Sequence, residues 1–301
     1  MNSLDLRGIF PPIASPFIDG KLALEKLESN ISRWSKTGIK GIVVLGSNGE
    51  AAYLSESEKR ELMQAAVSVS PKNILVIAGT GCESTSETIR LTNDCARLGA
   101  KAALVIPPHF FGAKMNDKAL YSHYRKTADE AAIPLLLYNV PKFVHLVLTP
   151  DLVFRLSEHP NIIGIKDSSG DVSLIGEYLR RSAEGFNVLV GTAGALFGGL
   201  SLGCPGGILA LSNIAPEECV RILERTQAGD YEAARSLQIR MIPVDKAVTT
   251  VYGVAGLKAA LDLVGYFGGE VRSPLLHLEE NEKKTLAAIL RKAGLIHEDK
   301  K

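Results

Sequence analysis

Ile162-Ile163-Gly164-Ile165 runs straight into Lys166-Asp167-Ser168-Ser169-Gly170-Asp171: four apolar residues without polar alternation, then a charged, turn-rich segment. A continuous apolar run bounded by turn residues reads as a strand buried on both faces, the kind found in parallel sheets. Seven more such runs recur at intervals of about 25 to 35 residues, over 8–13, 41–45, 74–78, 102–106, 135–138, 188–190 and 207–211. Between them lie segments of helical spacing with start signals. Ser55-Glu56-Ser57-Glu58 reads as a capping box, and Ser84-Thr85-Ser86-Glu87 resembles one.

Eight alternating strand and helix units predict an α/β fold, a closed (β/α)8 TIM barrel, which takes roughly 250 residues. An open doubly wound sheet would carry G-x-G-x-x-G after its first strand, where this chain reads Phe10-Pro11-Pro12-Ile13-Ala14-Ser15-Pro16-Phe17. Beyond residue 215 the strands stop, and 217–228, 231–242, 257–264 and 280–292 read as helices. The expected division is a barrel catalytic domain over 1–230 and a carboxy-terminal helical extension over 231–301. No Gly/Ser-rich linker separates them, so the extension is expected to pack on the barrel as a small cap.

The charges nearly cancel, 34 basic against 33 acidic residues, with no block of one sign. That leaves no electrostatic footprint for nucleic acid or an anionic membrane and favours a small-molecule partner. The amino terminus lacks a basic stretch followed by an apolar run, and no apolar segment reaches bilayer length, so a cytoplasmic location is expected. Cys82, Cys95, Cys204 and Cys219 are widely separated and are expected to be buried free thiols. The six histidines are scattered without ligand spacing, so neither a metal nor another cofactor is expected.

In a barrel, chemistry gathers where strands run into the following helices. Lys166 stands at such an end. On its own, a strand-end lysine packs its stem and sends its amine to water. Burial there penalises the charged ammonium, however, and a neutral amine attacks a ketone carbon to form a Schiff base. Tyr138, ending the run 135–138, is one strand away and placed to relay protons to such an imine; the plain alternative is a packed tyrosine with a tethered hydroxyl. Gly46-Ser47-Asn48-Gly49-Glu50 ends the second strand, and its N–H groups and the Ser47 hydroxyl suit a carboxylate, although a plain βα turn has the same composition. Ser168 could donate to the same substrate or simply cap the next helix. Glycines at 191, 194, 206 and 207 leave room for a ligand near the backbone.

Gly-Ser-Asn-Gly-Glu, Tyr-Asn-Val-Pro, Gly-Ile-Lys-Asp-Ser and the Gly-Gly-Ile strand, in this order, resemble the dihydrodipicolinate synthase and N-acetylneuraminate lyase family of class I pyruvate aldolases over essentially the whole chain. The resemblance implies Lys166 as the imine lysine, Tyr138 as the catalytic phenol, Ser47 and Asn48 as the carboxylate-binding pair and the backbone of Ile208 as a further pyruvate contact. It also implies a homotetramer or dimer.

Three positions depart from the lysine-pathway members. Ser47-Asn48 replaces Thr-Thr, Phe110-Phe111 stands where a relay tyrosine is usual, and Lys142-Phe143-Val144 stands where an arginine is expected. The Ser-Asn turn, Ser168 and 81–85 instead resemble 4-hydroxy-2-oxoglutarate aldolase, which releases pyruvate and glyoxylate. Cleavage of that type is the expected activity. Condensation of pyruvate with aspartate semialdehyde, a 2-oxo-3-deoxy sugar acid aldolase or dehydratase, and a non-catalytic ligand-binding barrel are the alternatives. His109 is a candidate for the missing acid or base.

Overall fold

The computed structural model describes residues 4–297. Eight strands form one parallel sheet: β1 (Gly8–Phe10), β2 (Gly41–Val44), β3 (Leu75–Gly79), β4 (Ala102–Val105), β5 (Leu135–Asn139), β6 (Ile162–Asp167), β7 (Asn187–Val190) and β8 (Gly206–Ile208). From β2 onward each pairs with the next in sequence, and β8 pairs with β1. The circle is completed between β1 and β2 by a single bridge, Pro12 with Val43, held by Val43 N–H to Pro11 O and Ile13 N–H to Val43 O, both 2.9 Å. Pro11 and Pro12 have no amide hydrogen to donate, which confines the ladder there to one bridge.

The apolar runs are continuous because each strand faces two cores. Phe10, Val43, Ile77, Leu104, Leu136, Leu189 and Ile208 fill the barrel interior. Their neighbours Ile9, Ile42, Val44, Val76, Ala103, Leu137, Val188 and Val190 face outward into the layer beneath the helices. The capping box at Ser55 is present: Glu58 N–H donates to Ser55 Oγ and Ser55 N–H to Glu58 Oε2. At Ser84 only half of it forms, Glu87 N–H donating to Ser84 Oγ.

In the carboxy-terminal part, helices occupy Pro216–Gln227, Tyr231–Lys246, Gly253–Leu263 and Glu280–Lys292. The second runs four residues past its expected end, through Pro243, and passes into a π-helical turn at Ala247–Val251. The third begins at Gly253 rather than at residue 257. All four cysteines are free; Cys95, Cys204 and Cys219 are buried and Cys82 is only half-buried. No described helix is long and apolar enough to cross a membrane.

Candidate active site

The carboxyl ends of the strands open into a cavity of about 460 Å³. Ser47 and Asn48 from the β2 turn, Tyr138 from β5, Lys166 and Ser168 from β6, and Gly191 and Thr192 after β7 all line it. A shallower hollow between Gly38 and Arg221 lies at the opposite end of β2 and gathers none of these groups.

Lys166 is 4 % exposed and Tyr138 is 6 % exposed. They are register partners across β5 and β6, and the Lys166 Nζ lies 4.2 Å from the centre of the Tyr138 ring. A bulge brings them together. Leu135 pairs with Ile162 but Leu136 pairs with Gly164, so Ile163 is left over and every later partner moves on by one. Without that extra residue Tyr138 would stand opposite Ile165, whose side chain faces the helices.

Behind the pair, Asp167 is fully buried. Asn139 Nδ2 donates to its Oδ1 and Ser169 Oγ donates to its Oδ2, both at 2.6 Å. Burial pushes the Asp167 carboxyl up from its ordinary value, and the hydrogen bonds from Ser169 and Asn139 oppose that. Asn139 Oδ1 in turn accepts Leu148 N–H at 3.0 Å. The network locks the ends of β5 and β6 side by side. Gly191 has to be glycine: a Cβ there would stand 2.1 Å from Ser168 Oγ and 2.6 Å from the Asp167 carbonyl.

The β2 turn is a single 3-10 turn over Ser47–Gly49, entered from Leu45 (φ 61°) and left through Glu50 (φ 53°), both in the left-handed region. Two non-glycine residues held there mark a turn fixed by its surroundings.

Part of the cavity wall comes from residues that pattern reading passed over. Val248, Thr249, Thr250, Val251, Tyr252 and Val254, from the π-helical turn and the helix after it, form one wall. Phe143 and Lys142 line the cavity as well, and Lys142 Nζ donates to Thr249 O at 2.5 Å, joining the residues after β5 to that wall. Among the described lining residues there is no Asp, Glu, Arg or His, and Lys142 and Lys166 are the two lysines.

Some candidates lie elsewhere. Ile208 is fully buried in β8 and does not line the cavity; Ala210 does. Phe110 and Phe111 are 77 % and 69 % exposed, pack edge to face, and do not reach the cavity of their own chain. His109 faces Glu83, 3.0 Å from its Oε1, also outside the cavity. No cluster of three or more His, Cys, Asp or Glu with metal-ligand geometry occurs among the described residues.

Residues 5–293 match the dihydrodipicolinate synthetase family. The 4-hydroxy-tetrahydrodipicolinate synthase of Thermodesulfovibrio yellowstonii is 37 % identical over 96 % of this chain and 99 % of its own. The chloride-inhibited dihydrodipicolinate synthase of Acinetobacter baumannii, solved with pyruvate, superposes with a TM-score of 0.92 at 32 % identity, covering 97 % and 100 % of the two chains. A monomeric dihydrodipicolinate synthase variant superposes with the same TM-score at 28 % identity, covering 96 % and 97 %. The chain belongs to the dihydrodipicolinate synthetase family and is an enzyme of its class I, lysine-imine lyase type.

Proposed function

We propose that Lys166 forms an imine with pyruvate and that Tyr138 moves the protons of the reaction. The observation that carries this reading is the buried amine directly beside a phenol, in a cavity whose inner end offers the Ser47-Asn48 turn to a carboxylate. The neutral amine attacks the C2 ketone, water leaves, and the protonated imine withdraws electrons from C3. Loss of a C3 proton gives an enamine. Its C3 attacks an aldehyde carbon while the aldehyde oxygen takes up a proton; the reverse sequence cleaves the same bond. Attack at C2 by water, or by an amine carried on the aldehyde, frees Lys166. Ser168, at the cavity wall, completes the proposed pyruvate contacts, and Ile208, which does not line the cavity, is left out of them.

For the second substrate, relatives named 4-hydroxy-tetrahydrodipicolinate synthase support condensation with aspartate semialdehyde over cleavage of 4-hydroxy-2-oxoglutarate. That reverses the order taken from the Ser-Asn turn and Ser168. Cleavage stays as a second reading on one specific observation: Phe143, not an arginine, lines the cavity. Lys142 is then the cation for an anionic far end, a point charge rather than a fork. Self-association as a dimer or tetramer is the further expectation, supported by the exposed Phe110 and Phe111 pair.

Borohydride reduction with pyruvate should add its mass to the peptide bearing Lys166; no adduct would end the imine reading. Pyruvate consumed with aspartate semialdehyde, and 4-hydroxy-2-oxoglutarate left intact, would establish condensation. Pyruvate released from 4-hydroxy-2-oxoglutarate, with the semialdehyde untouched, would establish cleavage.

A further inference from the structure

Glu50 closes the turn that carries Ser47 and Asn48, and its carboxylate points away from the cavity into the protein. Its side chain is 1 % exposed. Oε2 accepts the backbone N–H of Arg272 at 2.8 Å, and Oε1 lies 2.5 Å from Nζ of Lys258. Lys258 is equally buried and is the one basic residue of the helix Gly253–Leu263. It also donates to the Glu270 carbonyl and stands 4.3 Å over the Phe17 ring. The Arg272 side chain continues the contact, donating to the Tyr53 carbonyl at 2.9 Å and pairing with Glu58. From the barrel side, Ser15 Oγ donates to Gly49 O at 2.7 Å. The short turn is therefore held between the β1 loop and a segment of chain from the far carboxy-terminal part.

As a device for stability alone, this pair is a poor choice. Removing two charges from water is costly, and a well-packed apolar pair often does as well or better. An apolar pair would not fix the direction of the Glu50 carboxylate, and through it the left-handed backbone at the end of the turn. The two oxygens meet different partners: Oε2 takes the Arg272 N–H as a hydrogen bond, and Oε1 faces the Lys258 ammonium as an ion pair without an aligned hydrogen bond, so the carboxylate has a charged partner on one side and a backbone donor on the other.

We propose that Lys258, acting through Glu50, is a positioning residue for the carboxylate seat: the carboxy-terminal segment sets the Ser47-Asn48 turn and with it the affinity for the 2-oxo acid. This rests on the pyruvate-imine reading of the cavity. Lys258 touches no reacting atom. It belongs to the binding of pyruvate, whereas Tyr138 belongs to turnover.

The test is the concentration of pyruvate that half-saturates borohydride trapping, measured on the full chain alongside its thermal midpoint. Lys258→Met and Glu50→Gln should each raise it about tenfold or more, with trapping at saturating pyruvate within about threefold of the parent. The double variant should be no worse than the weaker single, since both act through one contact. Ser47→Ala should weaken binding in the parent and add little in the Lys258→Met background. A lowered thermal midpoint with half-saturation unchanged would make the pair merely structural and overturn the proposal, as would full additivity of Ser47→Ala. If Lys258→Met does not fold, the isosteric Glu50→Gln combined with Ser47→Ala takes its place: little added loss supports the positioning role, and full additivity overturns it. An unmodified protein that forms no adduct at all would remove the imine reading itself, and the positioning role with it.

Discussion

Tyr138 and Lys166 stand directly opposite one another on neighbouring parallel strands only because Ile163 is bulged out of the β5–β6 ladder. Three residues earlier the register is one step different, so the bulge decides which side chain meets the lysine. The resulting 4.2 Å approach of amine to ring sets the Tyr138 side chain beside the atom on which the proposed imine would form. Tyr138→Phe should therefore lower kcat by about 100-fold or more and change pyruvate half-saturation by less than about threefold. Steady-state rates beside borohydride trapping check this. Equal losses in both quantities would take Tyr138 out of the chemical step.

Asp167 holds the floor under that pair. Replacing it with alanine leaves the fully buried Asn139 amide and the half-buried Ser169 hydroxyl without their acceptor. The expected cost is about 3 kcal/mol, with about 1 kcal/mol for Asp167→Asn, which keeps one acceptor oxygen. Urea unfolding measures both; a loss under about 1 kcal/mol for the alanine would show that the network does not hold the strand ends.

The barrel was legible because strands buried on both faces leave unbroken apolar runs, and eight of them at even spacing leave little choice of fold. Lys166, Tyr138 and the Ser47-Asn48 turn were legible because strand order places their ends together. The bulge at Ile163 was not, since Ile-Ile-Gly-Ile reads equally well as a straight strand. Nor was the π-helical wall of the cavity. Pro243 reads as a helix end and Val248 to Val251 has no helical period, yet the helix continues and widens into a π turn over the site. The partnership of Glu50 with Lys258 joins distant parts of the chain. A lone basic residue inside the apolar 253–261 was its one local sign.

Lys142 is the one lysine besides Lys166 that lines the cavity among the described residues, tethered to the Thr249 carbonyl. If it receives an anionic aldehyde, Lys142→Met should raise the KM for aspartate semialdehyde about tenfold and leave pyruvate trapping within about twofold. An unchanged KM would remove Lys142 from substrate selection. Phe143→Arg in the same background should recover part of the loss, since a fork at the next position can reach the same carboxylate.

Phe110 and Phe111 are exposed yet held in place: Glu83 Oε2 accepts the N–H groups of His109 and Phe110 at 3.0 and 2.9 Å. An exposed aromatic pair on a backbone tied to Glu83 is the anchor expected of an interface. Phe110→Ser with Phe111→Ser should lower the sedimentation mass at micromolar protein by a whole subunit step. A variant sedimenting like the parent would mean that association, if present, uses another face.

Asp245 lies under the π-helical wall and accepts Gly194 N–H at 2.9 Å through Oδ2, while its Oδ1 has no partner among the described residues. Burial pushes its carboxyl up to about 6, against the opposing pull of Gly194 N–H and the charge of Lys142. Because the folded value lies above the unfolded one, the folded state holds more protons between about pH 4 and 6, and stability falls as pH rises through that window. The contribution is fully present below the unfolded value and is lost above about pH 6, a difference on the order of 3 kcal/mol. Asp245→Asn keeps an oxygen for Gly194 N–H and carries no charge, so it should be more stable than the parent at pH 8 and nearly equal to it at pH 4. Urea midpoints at the two pH values decide the matter. A parent and variant that run parallel across the window would show that Asp245 does not titrate there, and the cost of its buried charge would have to be met by a partner to Oδ1.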